Sequence, residues 1–288
     1  MKLTVLSENH TLLPTLAEEY GLSVYLEKGE TRLLFDTGTG GACLENAGTL
    51  DIDLKQLTAI AFSHNHRDHC GGFVRLAVEA HPTCPVYAHT DFFRRKWWDH
   101  SFDPPEQPTH EEALELVGPP MEASFMFQHG ITGFRLLAGD VFPLGDGVYL
   151  VGNFPVPEGL EAVHPSSVME EPDGRMVTDT FRDEQVCVVR TAQGLVVLTG
   201  CAHNGIMNIL RTIGQRFPGE TIAAVFGGTH LLPPVPERIE KTAAFFESSG
   251  IGCVGVCHCT GADGTAAFRR RVPGYTETGA GFCWQTDD

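Results

Sequence analysis

Ser63-His64-Asn65-His66-Arg67-Asp68-His69-Cys70-Gly71-Gly72 is the stretch on which the fold turns. It sets three histidines and an aspartate within six residues, directly after an apolar run at 57–62 that reads as a strand. Alternate side chains of an extended segment share a face, so His64 and His66 can grip one ion. Asp68 and His69, where the chain turns toward a helix, can face a second position close by. Imidazole suits zinc or iron, and the carboxylate adds a hard oxygen. A loop cluster rich in ligands at a strand end beside a Gly-Gly turn is where an α/β sheet places its chemistry.

On the N-terminal side, residues 21–36 read as a hairpin turned at Lys28-Gly29-Glu30, its second strand stopping at Asp36-Thr37-Gly38. On the C-terminal side, residues 71–80 have helical spacing and 85–88 look like another strand. Residues 90–175 differ in texture, with Phe92-Phe93, Trp97-Trp98, Phe102, Phe125-Met126-Phe127 and many prolines. They read as an insertion or lid over a site, with short buried strands as the other reading. Regularity returns with a strand pair at 185–191 and 195–200. A helix follows from Asn204, which is placed to cap it. Then come a strand at 221–227, an amphipathic helix at 237–248 introduced by Pro236, and a core strand at 251–259. Alternating strands and helices predict an α/β layered domain spanning 1–288.

The chain has 288 residues, a formal charge of −17, 13 His and 9 Cys. Its length is ample for a hydrophobic core, and its 42% hydrophobic and 20% charged residues describe an ordinary globular protein. The acidic balance argues against nucleic acid as a partner, because phosphate binding needs clustered Lys and Arg. No run of 18 apolar residues predicts a membrane span. Met1-Lys2 meets Glu8, Asn9 and His10 rather than a long apolar stretch, so no secretory leader is expected. Nine cysteines, an odd number in a chain too long to need staples, read as free thiols of a cytoplasmic protein.

The run His64-X-His66-X-Asp68-His69 resembles the signature of the metallo-β-lactamase-fold superfamily. Leu33-Leu34-Phe35-Asp36-Thr37-Gly38 is similar to that family's preceding strand and loop. Thr199-Gly200-Cys201-Ala202-His203-Asn204-Gly205-Ile206, Gly227-Gly228-Thr229-His230-Leu231 and His258-Cys259-Thr260-Gly261 resemble one branch of it. That branch takes its name from the dihydropterin/aminobenzene ribofuranosyl phosphate synthase of methanopterin biosynthesis. The resemblance implies a four-layer αββα sandwich and two divalent metal ions, zinc favoured, with iron, manganese or nickel as alternatives. It also implies a supporting role for Asp36, which would fix a ligand histidine by hydrogen bonding.

The family's bridging aspartate would follow the strand at 195–200, where this chain instead has Cys201 and, two residues on, His203. The implied set is His64, His66 and His203 for one ion and Asp68, His69 and His258 for the other, with Cys201 bridging or supporting. Strand alternation sends Cys257 and Cys259 away from His258. A zinc knuckle of Cys253, Cys257 and Cys259 is the competing reading, and it lacks the usual second Cys pair. His230, also at a strand end, could bind metal, donate to substrate or cap the strand; the substrate role is favoured. Arg67, Arg182 and His164 are candidate substrate contacts, and Asp68 could orient or deprotonate the nucleophile. The helix start near Asn204 would favour an anionic group.

The function expected is hydrolysis of a small anionic substrate, a phosphoester foremost, by a metal-activated hydroxide. A synthase-type transferase is the second expectation, and a non-catalytic metal-dependent sensor the third. Oligomeric state is not legible.

Overall fold

A computed structural model describes residues 1–102, 113–118 and 133–287. The strands are β1 (Lys2–Ser7), β2 (Ser23–Lys28), β3 (Thr31–Phe35), β4 (Ala59–Ala61), β5 (Val86–His89) and β6 (Lys96–Asp99). Next come β7 (Leu114–Leu116), β8 (Phe134–Leu137), β9 (Val141–Gly145), β10 (Val148–Val151), β11 (Ser167–Glu170) and β12 (Met176–Thr178). The last are β13 (Val186–Thr191), β14 (Gly194–Thr199), β15 (Ile222–Gly227), β16 (Cys253–Val256) and β17 (Cys283–Gln285). The helices are α1 (Ala42–Thr49), α2 (Arg67–Cys70), α3 (Phe73–Glu79), α4 (Ile206–Arg216), α5 (Pro236–Ser249) and α6 (Gly261–Arg271).

One sheet runs β17-β1-β2-β3-β4-β5-β8 and a second β16-β15-β14-β13-β10-β9. The side chains of their central strands explain how these sheets stack. Along β13 and β14, Val186, Val188, Leu195 and Val197 face one apolar cluster, while Cys187, Val189, Val196 and Leu198 face another. The second cluster also takes Leu33, Phe35, Ala59 and Ala61 from the first sheet, whose Leu34 and Ile60 turn outward to a third. The outer clusters are closed by Ile209, Ile213, Phe246 and Phe268 of α4, α5 and α6 on one side. Ala47, Phe73 and Leu76 of α1 and α3 close the other. Helix, sheet, sheet, helix is the αββα sandwich that the sequence pointed to. With both faces of these strands covered, apolar residues run continuously and each buried Val or Leu contributes about 1.5–3 kcal/mol.

Residues 90–175 do not behave as one piece. Phe92 packs in the core beneath the first sheet, and 134–151 supply β8 to the first sheet and β9 and β10 to the second. Of the other described residues, β6, β7 and β11 join β12, just beyond this segment, in a separate four-stranded sheet, β12-β11-β6-β7, in which Trp98 pairs with Ser167 and Trp97 with Val168. Phe125-Met126-Phe127 lie outside the described residues. Among the described residues, no helix is long and apolar enough to cross a membrane.

The core strand expected at 251–259 is shorter in the structure. It spans Cys253–Val256, and the chain then enters a tight turn in which His258 takes φ 54°. The helix after Asn204 begins at Ile206 without a cap from Asn204. Asn204 turns its amide to the Phe181 carbonyl and the Glu184 carboxylate instead. The capping is done from afar, by Glu161, which accepts from the Met207 and Asn208 amides at 2.8 and 3.0 Å. Those amides are therefore taken, and the helix start does not offer the anion site that the sequence suggested.

Candidate metal centre

β14, β15 and β16 are parallel to one another, as are β3, β4 and β5. Their C-terminal ends meet at one edge of the sandwich, and every residue of the site leaves from such an end. Asp36 follows β3, His64 and His66 follow β4, Cys201 and His203 follow β14, His230 follows β15 and His258 follows β16. Asp36, Ala202, His230 and His258 all have positive φ, between 47° and 62°. Such angles are uncommon for residues with a Cβ and cluster where a turn must throw a side chain back over a strand end.

Asp36, fully buried, organises two of the histidines. Its Oδ2 accepts from His69 Nδ1 at 2.7 Å and from the Ser63 hydroxyl at 2.6 Å. Ser63 Oγ in turn accepts from His64 Nδ1 at 2.9 Å, and Asp36 Oδ1 takes the Ser63 amide at 2.7 Å. Gly200 makes room for this relay, because a Cβ there would run into Ser63 Oγ. On the far side, His258 Nδ1 donates to Asn9 Oδ1 at 2.9 Å and its amide donates to Glu8 Oε1 at 2.7 Å. With these three Nδ1 atoms committed outward, it is the Nε2 atoms that face the centre.

Those inward atoms converge. His64 Nε2 and His203 Nε2 are 3.2 Å apart, and so are His69 Nε2 and His258 Nε2. Cys201 Sγ lies 3.0 Å from His69 Nε2, and Asp68 Oδ2 lies 3.0 Å from His258 Nε2. Asp68, His69, Cys201 and His258 form one group whose ligand atoms all lie within 4.8 Å of one another, and His64, Cys201 and His203 form a second. His66 stands just outside that second group, its ring 4.6 Å from that of His64 and 4.9 Å from that of His203. Cys201 belongs to both groups. Imidazole nitrogens, a thiol and a carboxylate converging from separate segments at such distances are a donor set that fits a divalent metal, which would replace the protons now shared between them.

The electrostatics agree. Burial holds His64, His66 and His203 well below the ordinary imidazole value, helped by neighbouring positive groups, so all three are neutral donors. For His69 burial works the other way from its partners. The Asp68 and Asp36 carboxylates overcome it and lift the group to about 9. Burial likewise opposes ionisation of Asp68, yet His69 and His258 outweigh it and keep the carboxylate charged. The Cys201 thiol is pushed well up by burial.

A cavity of about 430 Å³ opens over this centre. Trp97, Trp98 and Tyr20 supply apolar walls, and Glu19, Glu115 and Asp179 add carboxylates. Arg67 lines it, tied to the Leu116 carbonyl at 2.6 Å. Two expected substrate contacts are elsewhere. Arg182 is exposed and lines a smaller cavity with Arg94 and Asp183. His164 stacks flat on Trp98, with ring centroids 5.2 Å apart, and does not line the main cavity. His10, His81, His89 and His100 stand apart from the centre: His10 pairs with Glu8, His89 with Asn153 and His100 with Glu115. His110 and His129 lie outside the described residues.

Cys259 departs most from expectation. It points into the site, not away, because strand alternation ends at Val256 and no longer governs it. Cys201, His230 and Cys259 make a third group within 4.8 Å. Cys257 packs between the sheets, so no zinc knuckle forms with Cys253. All nine cysteines are free. Sequence reading also missed Ser63, Asn9 and Glu184. Glu184 takes the His203 and Asn204 amides at 2.7 and 2.6 Å, and burial raises its carboxyl to about 7.

A 7,8-dihydropterin-6-methyl-4-(beta-D-ribofuranosyl)-aminobenzene-5'-phosphate synthase of Methanocaldococcus jannaschii is 28% identical over 265 residues, 86% of each chain. The crystal structure of Tm1679, a metal-dependent hydrolase of the beta-lactamase superfamily, matches over 100% of both chains with TM-score 0.83 and 30% identity. Zn(2+)-bound PqqB of Methylobacterium extorquens shares the fold alone, with TM-score 0.59 and 12% identity over 99% of this chain and 100% of that one. The sequence profile of the metallo-beta-lactamase superfamily matches residues 16–175. That span holds the histidine run and more than half of the sequence, and with it the chain belongs to the metallo-beta-lactamase superfamily.

Proposed function

We propose that the protein is a metal-dependent hydrolase of a small anionic substrate, a phosphoester foremost. The observation that carries this reading is the meeting of two ligand groups at Cys201 beneath an open cavity. His64, His66 and His203 would hold one divalent ion, and Asp68, His69 and His258 the other, with Cys201 between them. Bound there, such ions bring a water's pKa toward neutrality and polarise the oxygen of the group under attack.

The chain's own residues do the rest. Asp36 and Ser63 hold His69 and His64 in one tautomer and one orientation. Asp68, kept ionised, can orient the attacking water by accepting a hydrogen bond from it. Glu19 and Glu115 make the cavity's rim negative, whereas Asp179 is offset by Lys96, so an anionic group would be drawn to the centre itself, with Arg67 beside it. The apolar part of the substrate then lies along Trp97, Trp98 and Tyr20.

A synthase-type transferase is the second reading, favoured by the M. jannaschii relative and by these aromatic walls. The two separate cleanly in one set of assays on protein reloaded with zinc or manganese. Hydrolysis of bis(p-nitrophenyl) phosphate, p-nitrophenyl phosphate or carboxylic esters, lost in both His66→Ala and His258→Ala, supports the first. Condensation of a dihydropterin pyrophosphate with an aryl ribofuranosyl phosphate, without hydrolysis, supports the second. Failure of carefully reloaded protein to retain any metal would overturn both.

A further inference from the structure

Two members of the third ligand group, His230 and Cys259, are not used by the two-ion reading. We propose that Cys201, His230 and Cys259 form a Cys2His ligand set that reserves one ion position for a thiophilic divalent metal of the zinc class. The inference rests on the metal-dependent reading above and deepens it.

Three independent features build this set. First, the ligand atoms of the three residues lie within 4.8 Å of one another, and both thiols are only 3% exposed. A buried pair of sulfurs beside an imidazole is a soft donor set, which favours zinc, cobalt or cadmium over manganese or magnesium. Second, the backbone is shaped to admit the Cys259 sulfur. A Cβ on Gly228 would stand 2.5 Å from Cys259 Sγ, and the His230 amide donates to that sulfur at 3.3 Å. Leu231 donates to the Cys259 carbonyl at 3.1 Å, and Thr229 and Thr260 join their hydroxyls at 2.9 Å. The loop after β15 and the turn after β16 are thus fastened with both donor groups facing inward. Third, His230 Nδ1 is buried and has no hydrogen-bond partner. A buried imidazole nitrogen left unpaired is costly, and a metal ion is the partner that this neighbourhood of thiols suits. The sequence pointed His230 at substrate; its neighbours point it at metal.

The test uses full-length protein, stripped of metal under reducing conditions and reloaded. At one zinc per chain, X-ray absorption should count two sulfur neighbours at about 2.3 Å. One sulfur or none overturns the inference. With cobalt(II), the thiolate-to-metal charge-transfer absorption should fall by about half in Cys259→Ser, through loss of one of two thiolates, while the variant still binds cobalt. An undiminished band in that variant overturns the inference too. The zinc measurement needs no variant, so a misfolded Cys259→Ser leaves it decisive. Zinc bound with nitrogen and oxygen neighbours alone would sink this ligand set and leave the hydrolase reading standing; no metal bound at all would sink both.

Discussion

Lys96 is 1% exposed, yet it is a lysine, and replacing it with methionine should cost about 4 kcal/mol of stability at neutral pH. Its Nζ lies 2.6 Å from Asp183 Oδ1 and 2.8 Å from Asp179 Oδ2, and 4.3 Å over the Phe181 ring. Burial opposes its charge, but the two carboxylates overcome that and keep it protonated. Lys96→Met preserves the apolar stem and leaves two buried carboxylates facing each other. They cannot both stay ionised, so the folded variant takes up one proton that they share. Forcing a carboxyl of ordinary pKa near 3.9 to protonate at pH 7 costs about 1.4 kcal/mol per unit, hence about 4 kcal/mol. That figure agrees with the roughly 3–5 kcal/mol of a broken buried ion pair. The sign of the pH dependence follows. The variant's folded state binds one more proton than its unfolded state, so its stability falls as pH rises. The deficit should therefore shrink to about 1.5 kcal/mol near pH 5 and grow beyond 5 kcal/mol near pH 8. Urea unfolding of both proteins at several pH values measures it. A deficit below about 1 kcal/mol at pH 7, or one that does not change with pH, would refute the reasoning.

Asp36→Ala frees His69 and Ser63 together, and metal affinity should drop about 10–100-fold, read by competition with a chromophoric chelator. Unchanged affinity would mean that the histidines are held by packing alone. Glu161→Ala leaves the Met207 and Asn208 amides without their carboxylate and should cost about 1–2 kcal/mol of stability with metal affinity intact. Metal uptake should release protons at neutral pH, since His69 is raised to about 9 and burial keeps the Cys201 thiol protonated. Affinity then climbs with pH up to about 9, and calorimetry in buffers of different ionisation enthalpy counts the protons. In the metal-free protein, the His69 contribution to stability runs oppositely: present below its unfolded value near 6.5, lost as pH rises through about 9.

What could be read from the sequence was what lies in short segments. The hairpin, the strand at 57–62 and the histidine run carry their periodicity and their ligands within a few residues; they gave the α/β layering, and the family resemblance of the histidine run gave the four-layer sandwich. Two kinds of information were out of reach. One is contact across the chain. Glu8 and Asn9 stood in the sequence only as polar residues interrupting an apolar stretch, and they turn out to hold the backbone and the ring of His258, about 250 positions away. Glu161, which caps a helix starting 45 residues later, is of the same kind. The other is where a strand stops. Alternation was carried past Val256 to Cys259, and there it failed, because a left-handed residue at 258 resets which way the chain faces.

That failure shows what organises the site. Sheet periodicity can bring a strand to the edge of the sandwich, but it cannot aim several ligands at one point, because strand ends are about 4.8 Å apart and point along the sheet rather than across it. The aiming is done by the turns: positive φ at Asp36, Ala202, His230 and His258, and close approach at Gly200 and Gly228. Left-handed residues with a Cβ cost on the order of 1–3 kcal/mol each, and they persist only where surrounding contacts fix them. Here the fixing contacts are themselves directional: Ser63 on Asp36, Glu184 on the His203 amide, Glu8 on the His258 amide. A buried carboxylate thus stands behind each of the turns that carry His64, His203 and His258. The histidines supply the donor atoms, and these three acids, two of them invisible to motif reading, set where those atoms point.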